Sequence, residues 1–140
     1  MAFFVDTNVV VYAAIEGPYR EPCLRILDAI SRGAEARTST AVIEEVWHIE
    51  LSGRAGDLAG LAVNAYTLFT PLLAVTDDVV DTALRLRPTG IGANDRIHVA
   101  ACALNGIDTI VTADEGFERV RGIRRVDPLD GRALARLLAA

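Results

Sequence analysis

Short apolar runs that alternate with helical patterns are the feature that most restricts the fold of this chain. Two clear runs and two weaker ones lie at positions 3–5, 109–112, 72–75 and 123–126. The first run ends at Asp6-Thr7-Asn8, residues that commonly start helices, so we predict a strand followed by a helix from about Val9. Strands that alternate with helices favour an α/β layer fold with a mainly parallel sheet.

Helical patterns fill most of the sequence between these runs. Apolar residues recur at helical spacing in segments at positions 19–32, 41–49, 57–69, 77–86, 95–104 and 132–138. A loop rich in helix-breaking residues is predicted at 87–94. The length of 140 residues fits one hydrophobic core, so we expect residues 1–140 to form a single domain.

The composition and the two most apolar segments of the chain indicate a globular protein without a membrane segment. Hydrophobic residues make up 51% of the chain and charged residues 24%, enough to build a core and too little charge for disorder. The apolar N-terminal segment lacks a basic region and is interrupted by Asp6, and the stretch at 61–75 is too short to span a bilayer. We therefore expect a cytoplasmic protein.

The basic residues are all arginine, and the chain contains no lysine. This excludes Schiff-base chemistry and the phosphate-binding lysine of a P-loop. The net charge of −5 argues against a broad basic groove, which weakens a nucleic-acid function without excluding it.

Cysteine and histidine do not form a recognisable zinc motif. Cys23 and Cys102 lie in apolar helical patterns, which is more typical of packing than of a disulfide. His48 and His98 are 50 positions apart, and the sequence indicates no partner for either.

Acidic residues are the strongest candidates for a functional site. Asp6 and Asp114 follow the two clear strands, and the carboxyl ends of parallel strands share one edge of a sheet. Asp95 lies on a helical stripe of small residues, and we expect it to point inward. Helical phase places Glu45 at the edge of an apolar face and turns Glu44 away from it.

Each carboxylate also has an ordinary structural explanation. Asp6 could cap a helix, and Asp114 could start a short helical turn. Asp95 could be stabilised in the first turn of its helix by the helix dipole. Glu45 could be a solvated helix residue. Convergence on one edge favours a site, because ionised carboxylates repel each other unless a cation separates them. Oxygen ligands suit Mg²⁺ or Mn²⁺, which can activate a water for phosphodiester attack.

Four segments resemble the PIN-domain ribonucleases, and within them the VapC-type toxins of toxin–antitoxin pairs. They are Phe4-Val-Asp-Thr-Asn8, Thr38-Ser-Thr-Ala-Val-Ile-Glu-Glu45, Asn94-Asp-Arg-Ile-His-Val-Ala-Ala101 and Val111-Thr-Ala-Asp-Glu-Gly-Phe117. The resemblance implies a three-layer α/β fold whose mainly parallel sheet has four to five strands flanked by helices. It also implies a metal-dependent endoribonuclease.

By the same resemblance, Mg²⁺ or Mn²⁺ is held by four residues, Asp6, Glu45, Asp95 and Asp114. Asn8 and Thr112 would support them through hydrogen bonds, whereas Ser39 could support them or cap its helix. Two positions depart from the family pattern. Gly116 stands where many relatives carry an acidic residue, which weakens a second metal site. Arg96 replaces a small residue and could contact RNA phosphate, pair with a local carboxylate or be solvated at the surface.

The resemblance further implies an RNA substrate, a cognate antitoxin and a homodimer. Trp47, Tyr66 and Phe69 could line an exposed groove for the antitoxin, or could pack in the core. A phosphatase or phosphoryl-accepting receiver would also place Asp at strand ends, but both normally need a lysine. The main alternative is a catalytically weak PIN-like module that binds RNA or protein.

Overall fold

A parallel sheet forms the centre of the molecule in the computed structural model, which describes residues 1–87 and 90–139. Pro88 and Thr89, in the predicted loop at 87–94, lie outside the described residues, as does Ala140. The elements follow in the order β1 (Phe3–Val5), α1 (Thr7–Ala13), α2 (Arg20–Ser31), β2 (Ala36–Arg37), α3 (Thr40–Ser52), α4 (Leu61–Phe69), α5 (Asp77–Leu84), α6 (Ala93–Leu104), β3 (Thr109–Val111), a 3-10 helix (Glu115–Arg119), β4 (Arg124–Val126) and α7 (Gly131–Ala139).

Across the described residues the sheet has four strands in the order β2-β1-β3-β4, all parallel. Val5 of β1 pairs with Val111 of β3, so the two strands end side by side. Every residue of β1 and β3 is buried, as expected for central strands covered on both faces. The predicted α/β class, with a mainly parallel sheet flanked by helices, is confirmed.

The predicted strand at 72–75 is wrong. Leu73 forms only an isolated parallel bridge to Ser39, with hydrogen bonds to the backbone of Thr38 and Thr40. Pairing cannot continue because the segment opposite Leu73 enters helix α3 at Thr40. Val75 N instead donates to the Thr40 side chain at 3.2 Å. On this side of the sheet the edge strand is β2, in a segment that the sequence left unassigned.

Three predicted helix starts are also displaced. Helix α6 begins at Ala93 rather than Asp95, directly after Gly92, whose backbone is extended. Helix α1 begins at Thr7 rather than Val9, because Asp6 accepts a hydrogen bond from Thr7 N at 2.8 Å and acts as the N-cap. Helix α4 begins at Leu61 rather than Asp57, because Gly60 has a φ of 85°. This left-handed conformation cannot belong to a right-handed helix, so the helix starts after it.

The core lies between the sheet and the helices packed on it. Helix α6 contributes a run of buried residues from His98 to Cys102, and the two cysteines are buried and unbonded, as packing residues would be. Among the described residues, no helix combines the length and apolar character that crossing a membrane requires.

Candidate metal centre

The four predicted carboxylates line one cleft at the carboxyl edge of the sheet. Asp6 follows β1, Asp114 follows β3, and Glu45 and Asp95 reach the same cleft from α3 and α6. The remaining lining residues are Thr7, Asn8, Val11, Tyr12 and Ile49. The structure therefore brings together side chains that are as many as 108 positions apart in the sequence.

Asp6 is the most enclosed of these carboxylates, with 4% of its surface exposed. Its Oδ1 accepts from Thr7 N at 2.8 Å, and its Oδ2 accepts from the Thr112 hydroxyl at 2.8 Å. Burial raises the pKa of Asp6 even though these donors and the nearby His98 act to lower it. The carboxyl thus serves both as the helix cap that the sequence allowed and as a wall of the cleft.

Asn8 and Thr112 tie the end of β1 to the end of β3. Asn8 Nδ2 donates to Thr112 Oγ1 at 2.9 Å, and Asn8 Oδ1 accepts from Ala113 N at 3.1 Å. Thr112 Oγ1 also accepts from Asp114 N at 3.0 Å. Since a hydroxyl has one donor and two acceptor sites, the bonds to Asp6, Asn8 and Asp114 use its full capacity.

Glu45 is held by two donors on a single oxygen. Its Oε1 accepts from the Thr7 hydroxyl at 3.0 Å and lies 2.8 Å from His98 Nε2. Burial alone would raise the pKa of Glu45, but the hydrogen bond and charge of His98 outweigh it, and the pKa is lowered. Glu44, one residue earlier, is exposed, in agreement with the choice made from helical phase.

His98 is the site residue that the sequence missed, and the prediction that it has no partner is wrong. Its side chain is fully buried, 3.5 Å from Asp6 Oδ1 as well as 2.8 Å from Glu45. Burial would lower the pKa of His98, but Glu45 and the other carboxylates raise it. A signal was available, because position 98 is one helical turn after Asp95 and shares its face of α6.

Asp95 and Asp114 lie in more open parts of the cleft. Burial, followed by the charge of Asp6, raises the pKa of Asp95 to about 6. Asp114 is exposed, and its Oδ1 accepts from Gly116 N at 2.8 Å, so it also starts the 3-10 helix. A Cβ at position 116 would lie 3.1 Å from that same oxygen, so a larger residue there would press on Asp114.

The donor set fits a divalent cation. Ligand atoms of Asp6, Glu45 and His98 lie within 4.8 Å of one another, and Asp95 and Asp114 face the same cleft. Burial and then the charge of Asp6 raise the pKa of Asp95, and a cation would relieve the repulsion that contributes to this shift. Carboxylate oxygens of this kind are ligands that Mg²⁺ and Mn²⁺ prefer.

Two other candidate residues have structural contacts outside the cleft. Ser39 caps α3 by accepting from Val42 N at 3.3 Å, which was one of its two predicted roles. Arg96 is half-buried rather than solvated and donates to the carbonyl oxygens of Leu86 and Ile91, at 3.3 Å and 3.1 Å. It therefore fastens the segment that precedes α6.

The predicted aromatic groove is only partly exposed. Trp47 and Tyr66 are 55% and 52% exposed, on α3 and α4. Phe69 is buried, so its assignment to an exposed groove is wrong. Its helical phase explains the difference, because Phe69 follows Ala62 and Ala65 on the inward face of α4.

Comparison with known proteins gives consistent matches. The family model of the PIN domain matches residues 3–123. Ribonuclease VapC7 of Mycobacterium tuberculosis is 32% identical over 131 residues, which cover 89% of this chain and 90% of that protein. Ribonuclease VapC23 of the same species is 33% identical over 116 residues, covering 79% of this chain and 91% of that protein.

Solved structures show the same fold at lower identity. The complex of VapBC2 from Rickettsia felis, bound to a promoter DNA fragment, contains a chain that matches with a TM-score of 0.70 and 16% identity. That match covers 91% of this chain and 98% of the other. Mycobacterium tuberculosis VapC20, a toxin that cleaves the sarcin–ricin loop, matches with a TM-score of 0.65 and 21% identity, over 87% and 98% of the two chains.

Proposed function

The chain belongs to the PIN-domain family and, within it, to the VapC ribonucleases, and from this premise we propose that it is a Mg²⁺- or Mn²⁺-dependent endoribonuclease. The observation that carries the proposal is the convergence of Asp6, Glu45, Asp95 and Asp114 on one cleft. Four acidic side chains at one sheet edge are electrostatically costly, and a divalent cation offsets that cost.

The chain's own residues would hold the cation and orient the carboxylates around it. A bound Mg²⁺ or Mn²⁺ would supply an activated water and neutralise charge on the phosphodiester. Thr112 and Asn8 fix the carboxylate of Asp6, and Thr7 fixes that of Glu45. The carboxylates of Asp6 and Glu45 are thus oriented by neutral donors before any ligand enters, which reduces the reorganisation that binding requires.

We further propose that the protein acts as the toxin of a toxin–antitoxin pair in the cytoplasm. Support comes from the VapBC2 complex among its structural neighbours and from large apolar side chains exposed on α3 and α4, namely Trp47, Leu51, Val63 and Tyr66. Such a surface suits an apolar segment of an antitoxin. Homodimer formation remains a prediction, which sedimentation of the purified protein can check.

The decisive experiment is cleavage of defined RNAs by the purified protein with Mg²⁺, Mn²⁺ or EDTA. The panel should hold transfer RNA, messenger RNA and a ribosomal fragment with the sarcin–ricin loop, since VapC20 cleaves that loop. We expect cleavage that needs the metal and is lost in Asp6→Asn and Glu45→Gln. Glu44→Gln is the matched control, because Glu44 is exposed on the same helix, and it should keep wild-type activity.

The outcomes separate the proposed enzyme from its main alternative. If no RNA class shows metal-dependent, Asp6-dependent cleavage, the ribonuclease proposal fails. RNA or antitoxin binding without cleavage would then support a catalytically weak PIN-like binding module, to which the loss of an acidic residue at Gly116 could contribute.

A further inference from the structure

His98 lies beneath the cleft, between the carboxylates of Asp6 and Glu45. Its Nε2 is 2.8 Å from Glu45 Oε1 and 3.5 Å from Asp6 Oδ1, and its side chain has no exposed surface. The ring packs against Phe4 of β1, with a centroid distance of 5.5 Å and an interplanar angle of 36°. Contacts on both sides therefore fix the direction in which Nε2 points.

The surroundings of the ring decide which nitrogen carries the hydrogen. Among the described residues, Nδ1 of His98 is buried and has no hydrogen-bond partner. Since Nδ1 lacks a partner in either tautomer of the neutral ring, the contacts of Nε2 decide where the hydrogen lies. An ionised carboxylate can only accept hydrogen bonds, so Nε2 must carry the hydrogen and donate to Glu45.

This assignment limits what His98 can do in the site. A nitrogen that carries hydrogen has no lone pair for a metal, although it lies within range of one together with Asp6 and Glu45. The Nε2–H group instead places a positive hydrogen between two acceptors that would otherwise repel each other. It also occupies Glu45 Oε1, which already accepts from Thr7, so Oε2, with only a long 3.5 Å bond from Asn94 Nδ2, is the more available oxygen for a ligand.

We propose that His98 is a positioning residue that donates from Nε2 to Glu45 and holds Glu45 and Asp6 together in the arrangement that binds the metal. The inference rests on the proposed metal-dependent function and adds to it a residue outside the carboxylate set. When no metal is bound, the Nε2–H group of His98 lies between Glu45 and Asp6 and reduces the repulsion between their carboxylates. The metal then enters a preformed site and need not pull two repelling carboxylates together.

The first test measures the tautomer of wild-type His98 by ¹H–¹⁵N NMR of metal-free, histidine-labelled protein at alkaline pH. His48→Gln assigns the signals, because His48 is the other histidine and is exposed. We expect hydrogen on Nε2 and none on Nδ1. A neutral ring with hydrogen on Nδ1 would overturn the proposal without any variant of His98 having to fold.

The second test compares Mn²⁺ affinity in wild type, His98→Gln and His98→Leu by calorimetry. Gln can place an amide donor near the position of Nε2, whereas Leu fills similar volume without a donor. We expect about a 10- to 100-fold weaker affinity in His98→Leu, the range typical of lost supporting hydrogen bonds, and recovery of most of it in His98→Gln. Unfolding midpoints show whether both variants are folded, and equal affinities in all three proteins would overturn the proposal.

A third measurement distinguishes positioning from direct ligation. Pulsed EPR of bound Mn²⁺ should show no directly coordinated histidine nitrogen, in ¹⁴N- or ¹⁵N-histidine protein. A strong histidine nitrogen coupling that disappears in His98→Gln would make His98 a ligand and overturn the positioning role. If wild type binds no Mn²⁺ at all, the proposed metal-dependent function fails, and the tautomer measurement still decides whether His98 donates to Glu45.

Discussion

The hydroxyl of Thr112 donates a 2.8 Å hydrogen bond to Oδ2 of Asp6, although the two residues are 106 positions apart. The contact follows from strand order, because β1 and β3 are parallel neighbours and Val5 pairs with Val111 just before these residues. The oxygen of Thr112 also accepts hydrogen bonds from Asn8 and Asp114. One hydroxyl therefore connects two of the proposed metal ligands.

Replacing Thr112 by Val should remove this connection while keeping the shape of the side chain. The variant removes one hydrogen-bond partner each from Asp6 and Asn8, so we expect a loss of about 1–3 kcal/mol in the free energy of unfolding. Weaker metal binding should accompany it. Thr112→Ser retains the hydroxyl and should stay close to wild type. Urea unfolding checks both, and unchanged stability in Thr112→Val would show that the bond contributes little.

The metal-free protein should become less stable as the pH rises toward neutrality. Burial and the charge of Asp6 raise the pKa of Asp95 from 3.8 to about 6, so the folded state binds this proton more tightly than the unfolded chain. The resulting stabilisation is fully present below pH 3.8 and is lost as the pH rises through about 6. The raised pKa values of Asp6 and His98 act in the same direction, and the lowered pKa of Glu45 opposes them.

Thermal unfolding in EDTA across this pH range measures the effect. Asp95→Asn cannot titrate at that position, so its unfolding midpoint should fall less steeply with pH than that of wild type. Saturating Mg²⁺ should remove or reverse the decline, because the cation competes with the proton. Parallel curves for wild type and Asp95→Asn in EDTA would contradict the assignment.

Binding of Mg²⁺ or Mn²⁺ should raise the thermal stability of wild type. A ligand that binds only the folded state adds about 2.7 kcal/mol at a concentration of 100 times its dissociation constant. Asp6→Asn should lose most of this gain, whereas Glu44→Gln, at an exposed position, should retain it. Differential scanning fluorimetry with and without EDTA provides the comparison. The same gain in Asp6→Asn as in wild type would place the metal elsewhere.

The residues that sequence could predict are those fixed by local pattern and strand order. Asp6 and Asp114 follow buried apolar runs, and the rule for parallel sheets places both at one edge. Helical phase was enough to choose Glu45 over Glu44. In these cases the information lies within one element or in the general geometry of the fold.

The features that sequence missed depend on contacts between distant elements. The spacing to Asp95 places His98 on the site-facing side of α6, but its bond to Glu45, 53 positions away, depends on how α3 packs on α6. The start of α4 is set in part by Glu50, which accepts from the backbone N–H groups of Gly60 and Ala62. The helical pattern from Asp57 onward gives no information about this tertiary contact, so the helix was predicted to begin four residues too early.

Arg125 should stabilise the segment that carries Asp114. Its guanidinium bonds to Glu118 at 2.8 Å, Asp127 at 2.7 Å and the carbonyl oxygen of Ala113 at 3.3 Å. Arg125→Met should lower the free energy of unfolding by about 1.5–3 kcal/mol, as expected for lost hydrogen bonds to charged groups. Arg124→Met, at the exposed neighbouring position, should change it little. Equal effects of the two variants in urea unfolding would argue against this role.

Gly116→Ala should impair RNA cleavage more than it impairs folding. The added Cβ would lie 3.1 Å from Asp114 Oδ1 and 3.3 Å from Ile91 Cγ2, so the Asp114 carboxylate has to move. A displacement near 1 Å can cost about a hundredfold in rate, and the shift required here is smaller, so we expect kcat/KM to fall by less than that factor. Gly131→Ala is the matched control, since its Cβ would meet no atom within 4 Å. Unchanged cleavage by folded Gly116→Ala would show that the reaction tolerates this movement of Asp114 and would contradict the prediction.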